Sequence, residues 1–298
     1  MKEKLLISQD LSCLGQVSLS VALPILGACG YQPDVLPTAI LSTHTGVFLV
    51  PPVILPVLPT AILSTHTGGF GDNTFLNLSS EMSKIIAHWQ DQKIDFENLY
   101  LGYLGKEAID FWIDHISNFK VSKVLLDPAM ADSGKLYRGL NLDYVAKMRV
   151  LANFATILTP NLTEACLLLD KKYRNFSIDE IEELALELKK KFNVNEVLIT
   201  GIQMQDKIKI AGVSARDTAF VIETDKVKRS FFGTGDMFAS SLLAAILAGY
   251  SLKESSQIAA TFVKMAIKAT DSTRDKRLGP NYAGALSWLM KKVEEKKG

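Results

Sequence analysis

Residues 229–249 read Arg229-Ser-Phe-Phe-Gly-Thr-Gly-Asp236-Met-Phe-Ala-Ser-Ser-Leu-Leu-Ala-Ala-Ile-Leu-Ala-Gly249. A polar turn of Gly233, Thr234 and Gly235 runs directly into a strongly apolar helix, with Asp236 in its first turn. Glycines let a backbone approach a ligand closely and turn its amides toward it. The start of a helix adds unpaired N–H groups and a partial positive charge. Together these features make an anion site, most often one for phosphate. A carboxylate among such amides can take a proton from a hydroxyl while the amides hold a transferring phosphoryl group. The plain alternative is a glycine turn with an acidic helix cap. The rest of the chain decides between the two.

Composition sets the frame. The chain has 298 residues, 48% hydrophobic and 22% charged, which suits a single domain spanning 1–298. A formal net charge of +1 gives no global field toward nucleic acid or an acidic membrane, so any phosphate affinity is local. Cys13, Cys29 and Cys166 are scattered and read as reduced thiols in a cytoplasmic protein. The apolar run at the start is too short for a signal peptide. No stretch reaches the roughly 18 to 20 apolar residues that span a bilayer, so no membrane partner is expected.

Strand-like and helical runs alternate, which predicts an α/β fold with a mostly parallel sheet and helices on both faces. Strands are expected at 4–8, 98–103, 123–127, 155–158 and 196–200, with an antiparallel pair at 207–212 and 219–223. Helices are expected at 16–29, 81–92, 107–118, 142–151 and 178–191, and from 236 onward, with breaks near Gly249 and across 271–283. Ligands of such sheets bind beyond the carboxyl ends of the strands. Ser8–Gly15, Gly102-Tyr103, Asp127, Thr159-Pro-Asn161 and Thr200-Gly201 all fall there, which points to one shared site.

Three segments add to the glycine turn. They are Leu101-Gly-Tyr-Leu-Gly105, Leu126-Asp-Pro-Ala-Met-Ala-Asp-Ser-Gly-Lys-Leu-Tyr137 and Leu158-Thr-Pro-Asn-Leu-Thr-Glu-Ala165. With Gly-Thr-Gly-Asp236 they resemble, in the same order and over nearly the whole chain, the motifs of the ribokinase superfamily. Within it the vitamin-kinase branch is the most similar, and pyridoxal kinases above all. Hydroxymethylpyrimidine kinases of thiamine synthesis are the nearest relatives of that branch. A non-catalytic pyridoxal phosphate carrier that kept the fold is a reading from another class, and the intact Gly-Thr-Gly-Asp speaks against it.

The resemblance implies a ribokinase-like fold and ATP-dependent phosphorylation of a B6 vitamer at its 5′ hydroxyl. It implies Asp236 as general base and the amides of Gly233, Thr234 and Gly235 as the phosphoryl cradle. Asp127, Asp132 and Glu164 are then the partners of Mg²⁺, directly or through water. Some members of the family also use a monovalent cation. Asn161, Glu164, Thr200 and Gly201 would lie along the nucleotide. An apolar adenine pocket is expected from 207–229 and the helix over 258–269. Ser12, Tyr103 and the histidine of a Ser-Thr-His-Thr segment would meet the vitamin. A homodimer is the family's habit.

One feature is foreign to an ordinary domain. Val-Leu-Pro-Thr-Ala-Ile-Leu-Ser-Thr-His-Thr-Gly occurs at 35–46 and again, unchanged, at 57–68. Repeat architectures need three or more similar units, so a perfect copy reads as a local duplication of 22 residues. The proline-rich apolar stretch 47–56 between the copies forbids a helix and an interior strand. The extra residues are expected to form a poorly ordered excursion. The second copy runs on into Gly69-Phe-Gly-Asp72 and is preferred as the functional one. That makes His66, rather than His44, the candidate site histidine.

Overall fold

A computed structural model describes residues 5–12, 16–31, 57–63 and 74–297. The chain opens with β1 (Leu5–Ser12), α1 (Leu19–Ala28), β2 (Val57–Leu63), β3 (Phe75–Asn77) and α2 (Ser79–Asp91). It continues with β4 (Asn98–Leu101), α3 (Gly105–His115) and β5 (Lys123–Leu126). A small hairpin, β6 (Ala131–Asp132) and β7 (Lys135–Leu136), precedes α4 (Leu142–Ala152), β8 (Ile157–Leu158), α5 (Leu162–Leu169) and α6 (Ile178–Phe192). A meander of β9 (Glu196–Met204), β10 (Lys207–Val213) and β11 (Ala219–Asp225) leads to α7 (Thr234–Leu247), α8 (Leu252–Ala269) and α9 (Ala283–Lys297).

Among the described residues, nine strands form one sheet in the order β11-β10-β9-β8-β5-β4-β1-β2-β3. The run from β9 to β2 is parallel, and antiparallel strands close both edges. The strands are apolar on both faces because both are covered. Leu6, Leu99, Leu101, Val124 and Leu126 face one core with α2 to α6. Leu5, Ile7, Tyr100 and Leu125 face the other, with α1, α7, α8 and α9. This is the predicted architecture.

Local signals explain several boundaries. Asn161, Ser177 and Ser251 each start a helix with a reciprocal bond to a glutamate three residues on, the capping-box arrangement. The helix expected from 16 begins instead at Leu19, because Ser18 takes a positive φ of 48°. The expected strand over 98–103 leaves the ladder after Leu101, which sets Gly102 and Tyr103 beyond the strand end. The β6–β7 hairpin is not foreseen. Its turn residues Ser133 and Gly134 both have positive φ, as two-residue hairpin turns of the commonest type require.

The duplicated segment divides between the described and undescribed residues. The first half of the second copy, Val57–Leu63, is β2, parallel to β1 and antiparallel to β3. The first copy, residues 47–56, and the rest of the second copy with His66 lie outside the described residues. So does the expected excursion. No helix among the described residues is long and apolar enough to cross a membrane.

Candidate active site

The carboxyl ends of β1, β4, β5 and β8 lie side by side with the middle of β9, and the start of α7 faces them. Gly233 caps α7 with φ 76°. A Cβ there would stand 2.0 Å from the carbonyl oxygen of Gln16, so only glycine fits. Gly235 is the opposite case: a Cβ would meet nothing within 4 Å. Its backbone is open to a ligand. Thr234 turns its hydroxyl inward to the Phe231 carbonyl at 3.3 Å. The apolar remainder of α7, from Met237 through Leu247, is buried in the core and holds this open turn rigid.

Asp236 lies in the first turn of α7 and is half-buried. The backbone N–H of Ser18 donates to it. Enclosure by protein and the neighbouring charge of Asp10 push its carboxyl up to about 6. A carboxylate tuned toward neutrality and held at a helix start can accept a proton from an alcohol.

Asp127 follows β5, with its backbone N–H bonded to the Leu101 carbonyl at 2.9 Å. Burial, then the charges of Glu164 and Asp236, push its carboxyl well above the ordinary range. Glu164 is 2% exposed. It accepts backbone N–H groups from Asn161 (2.9 Å), Met130 (3.0 Å) and Ala131 (3.3 Å). Burial raises its carboxyl against the pull of these three donors. Asn161 completes the clamp by donating its side-chain N–H to the Ala131 carbonyl at 2.7 Å. Asp132 is exposed on the β6–β7 hairpin, and its charge reaches Glu164.

Acidic groups that raise one another are a natural seat for a cation. No group of three or more His, Cys, Asp or Glu among the described residues is arranged to cage a metal. Both Glu164 oxygens are engaged by amides, so Asp127 is the carboxylate with room for direct contact. Residues of this kind fit Mg²⁺, which keeps waters and takes one or two carboxylates together with phosphates.

Thr200 sits beside Asn161 through a parallel bridge, and its backbone N–H donates to the Pro160 carbonyl at 2.9 Å. Gly201 follows with φ 69° and is exposed; the strand expected to end at 200 runs on to Met204 because its second half pairs with β10, so Thr200 and Gly201 lie within β9 and not beyond it. Tyr103, half-buried beyond β4, has its hydroxyl pushed up to about 12 by burial and the charges of Asp10 and Glu107. The predicted site residues on β1, β4, β5, α5, β9 and α7 thus meet on one edge of the sheet. The stretches expected to form the adenine pocket, 207–229 and the helix over 258–269, flank one cleft. Ile258, Phe262 and Ala266 of α8 face the core. The cleft between β10, β11 and α8, about 330 Å³, is lined by Met265 together with charged and polar side chains. Among them Asp225 pairs with Lys207 at 2.8 Å and with Lys264 at 2.7 Å.

Two further residues belong to the site. Asp10, two residues before the end of β1, is a buried carboxylate whose charge bears on both Asp236 and Tyr103. Tyr137, after the hairpin, feels Glu164, Asp127, Asp132 and Asp236, and with burial they push its hydroxyl far up. An acidic residue at the end of the first strand is the signal that marks Asp10; Tyr137 has none.

Comparison with known proteins gives a consistent picture. A family model described as phosphomethylpyrimidine kinase matches residues 60–281. A crystal structure of a protein assigned as a phosphomethylpyrimidine kinase from Bacteroides thetaiotaomicron superposes with a TM-score of 0.85 at 31% identity, covering 97% of this chain and 94% of that one. A second crystal form of that protein contains pyridoxal. Pyridoxal kinase from Lactobacillus plantarum superposes with a TM-score of 0.84 at 27% identity, covering 99% of each chain. The pyridoxine/pyridoxal/pyridoxamine kinase of Bordetella avium is 26% identical, over 92% of this chain and 90% of its own. The chain is also 25% identical, over 70% of its length, to the thiamine biosynthetic bifunctional enzyme of Arabidopsis thaliana, of which it spans 38%. These matches establish an ATP-dependent phosphotransferase with the ribokinase-like fold, and the chain belongs to the phosphomethylpyrimidine kinase family.

Proposed function

We propose that the chain, as a single catalytic domain, phosphorylates the 5′ hydroxyl of pyridoxal, pyridoxine or pyridoxamine at the expense of ATP. The observation that carries this reading is the carboxylate of Asp236 at the open glycine turn of α7, facing the strand ends. Asp236 takes the proton of the primary alcohol as the alcohol oxygen attacks the γ-phosphorus, the bond from that phosphorus to the β,γ-bridging oxygen breaks, and ADP leaves. The amides of Gly233, Thr234 and Gly235 hold the oxyanions of the phosphoryl group in transit. Phosphoryl transfer needs little covalent help and much positioning. Asp127 would hold Mg²⁺ directly, with Glu164 and Asp132 acting through water. When bound, the ion neutralises phosphate charge. Glu164 fixes the loop that follows Asp127, and Asn161, Thr200 and Gly201 lie along the nucleotide.

Tyr103 lies where a pyridine ring would stack. Cytoplasmic location, homodimerisation and a monovalent cation are expectations from the family. The phosphomethylpyrimidine family match favours a second substrate, 4-amino-5-hydroxymethyl-2-methylpyrimidine. Both substrates carry a hydroxymethyl group on a six-membered nitrogen ring. Steady-state assays with pyridoxal, pyridoxamine and the pyrimidine test the reading. The expected result is the highest kcat/KM with a B6 vitamer. A preference for the pyrimidine of tenfold or more, about 1.4 kcal/mol, would replace the first reading by the second.

A further inference from the structure

Arg229 opens the stretch that carries the glycine turn, and the proposed function leaves it without a task. Its guanidinium reaches across to the end of α8. One N–H group donates to the Thr270 carbonyl at 2.6 Å, and another donates to the Asp271 carbonyl. These are consecutive carbonyls at the C-terminus of a helix, where negative partial charge gathers. The planar fork of a guanidinium suits such a pair, and bonds from an ionised donor are stronger than neutral ones.

The segment that begins there reaches the glycine turn from behind. The backbone N–H of Phe232 donates to the Lys276 carbonyl at 3.2 Å, and that of Gln16 to the Leu278 carbonyl at 3.1 Å. Arg274 bonds the carbonyls of Gly279 and Leu278 at 2.7 and 3.3 Å. A Cβ at Gly279 would stand 2.9 Å from the Gln16 carbonyl oxygen, the same oxygen that packs against Gly233.

Residues 229–232 are therefore fastened to 270–276 at two points, by the Arg229 side chain at one end and the Phe232 N–H at the other. Between them Phe231 is buried, with the Arg229 guanidinium 5.0 Å from its ring centroid. The Phe231 carbonyl accepts the Thr234 hydroxyl, so the buried residue is itself tied to the turn. The proposed amide cradle begins one residue after the second fastening. Phosphoryl transfer depends on positioning more than on covalent help. A displacement of about 1 Å, set up away from the chemistry, can cost roughly 10²-fold in rate.

We propose that Arg229 is a positioning residue for phosphoryl transfer. Its guanidinium, held by the Thr270 and Asp271 carbonyls, draws the chain that enters α7 against the 270–276 segment. That sets the amides of Gly233, Thr234 and Gly235 at the height the oxyanions of the transferring group require. Arg229 acts through the turn and not on the substrate. This inference rests on the role given to the turn in the proposed function.

The test compares Arg229→Ala and Arg229→Lys with the parent, by steady-state titration of pyridoxal and of ATP and by thermal melting. Arg229→Ala should lower kcat at least ~10-fold. Both KM values should stay within about threefold, the pattern of an interaction that matters only in the transition state. Lysine keeps the charge without the fork, so Arg229→Lys should give a kcat between the two, and it carries the test should the alanine variant fold poorly. Guanidinium chloride at about 20 mM, far below the molar range that unfolds proteins, should restore part of the lost kcat in Arg229→Ala and leave the parent unchanged. Sodium chloride at the same concentration should restore none. An arginine with a structural role alone predicts earlier melting with the kcat of the parent. That result overturns the inference and leaves the kinase reading standing, as does a loss of kcat that guanidinium does not relieve. A parent inert toward pyridoxal and the pyrimidine but active on another alcohol overturns the proposed substrate, and the same comparison on that alcohol then decides Arg229.

Discussion

Glu164 accepts the backbone N–H of Met130 at 3.0 Å, which fastens the start of α5 to the segment that follows the Asp127 strand end. Ala131 adds a second amide to the same oxygen at 3.3 Å. The residue therefore holds this segment in place, and in the proposed function it also keeps negative charge near the metal and phosphates. Glu164→Gln keeps the shape and removes the charge. Its single carbonyl oxygen cannot serve amides on both sides, so one donor is left facing an NH₂ group. The expected cost is about 1 to 3 kcal/mol in stability, read by denaturant unfolding. The Mg²⁺ concentration for half-maximal activity should rise more than KM for the vitamin. Superimposable Mg²⁺ titrations of variant and parent would remove Glu164 from the phosphate end.

Asp236 gives a pH prediction. A base must be ionised to accept a proton, and burial pushes this carboxyl up to about 6. In the free enzyme kcat/KM should therefore be flat above that pH and fall as pH drops through about 6, approaching tenfold per unit below it. Asp236→Asn should bind ATP normally, lose that acid limb and lower kcat by ~10² to 10⁴. A kcat near that of the parent would take Asp236 out of the mechanism.

Gly233 tests the turn itself. Alanine there must tolerate φ 76° and a Cβ 2.0 Å from the Gln16 carbonyl oxygen. The backbone must shift, and the amides of the cradle move with it. Gly233→Ala should lower kcat at least ~10²-fold, the scale of a lost oxyanion donor. Gly235→Ala meets no protein atom within 4 Å and should fold normally. Any loss it shows belongs to ligand contact, and melting temperatures set against kcat separate the two effects.

Tyr103 lies beside Asp10, whose backbone N–H donates to its carbonyl at 3.3 Å, and the proposed function puts it at the vitamin end. Tyr103→Ala should weaken pyridoxal binding by about 0.5 to 1.5 kcal/mol through lost stacking, with ATP binding unchanged. Calorimetry with each ligand decides it. A fall in ATP affinity alone would move Tyr103 to the other half of the site.

The sequence makes the parallel frame legible because buried strands and amphipathic helices differ in period. The motifs stop at the ends of β1, β4, β5 and β8, so their convergence is readable too; Thr200 and Gly201, expected at a strand end, lie inside β9. Three things are not. The β6–β7 hairpin has two-residue strands, too short to show a period. The clamp on Met130 and Ala131 joins residues 34 and 33 positions apart, and nothing local records it. Asp10 is marked by its place near the end of the first strand, but its burial beside Ser12 and Ser18 shows only when the neighbouring elements are assembled.

The duplication gives the last prediction. Val57–Leu63 of the second copy forms β2 and pairs with β1. Because the copies are identical, deleting 47–68 and deleting 35–56 yield one and the same protein, and that protein still contains the strand sequence. In the full chain 28 residues connect the end of α1 at Ala28 to the start of β2 at Val57. The deletion shortens this link by 22 residues, to six, within the usual two to six of helix-to-strand connections in α/β units. Loop-closure entropy then falls by roughly 1 kcal/mol, with each halving worth about 0.6. The apolar, proline-rich stretch also leaves the chain. The shortened protein should be at least as stable, as soluble and as active as the full one, by thermal melting, light scattering and kinase assay. Loss of activity on deletion, with the full chain active, would show that the 22 residues are part of the working fold.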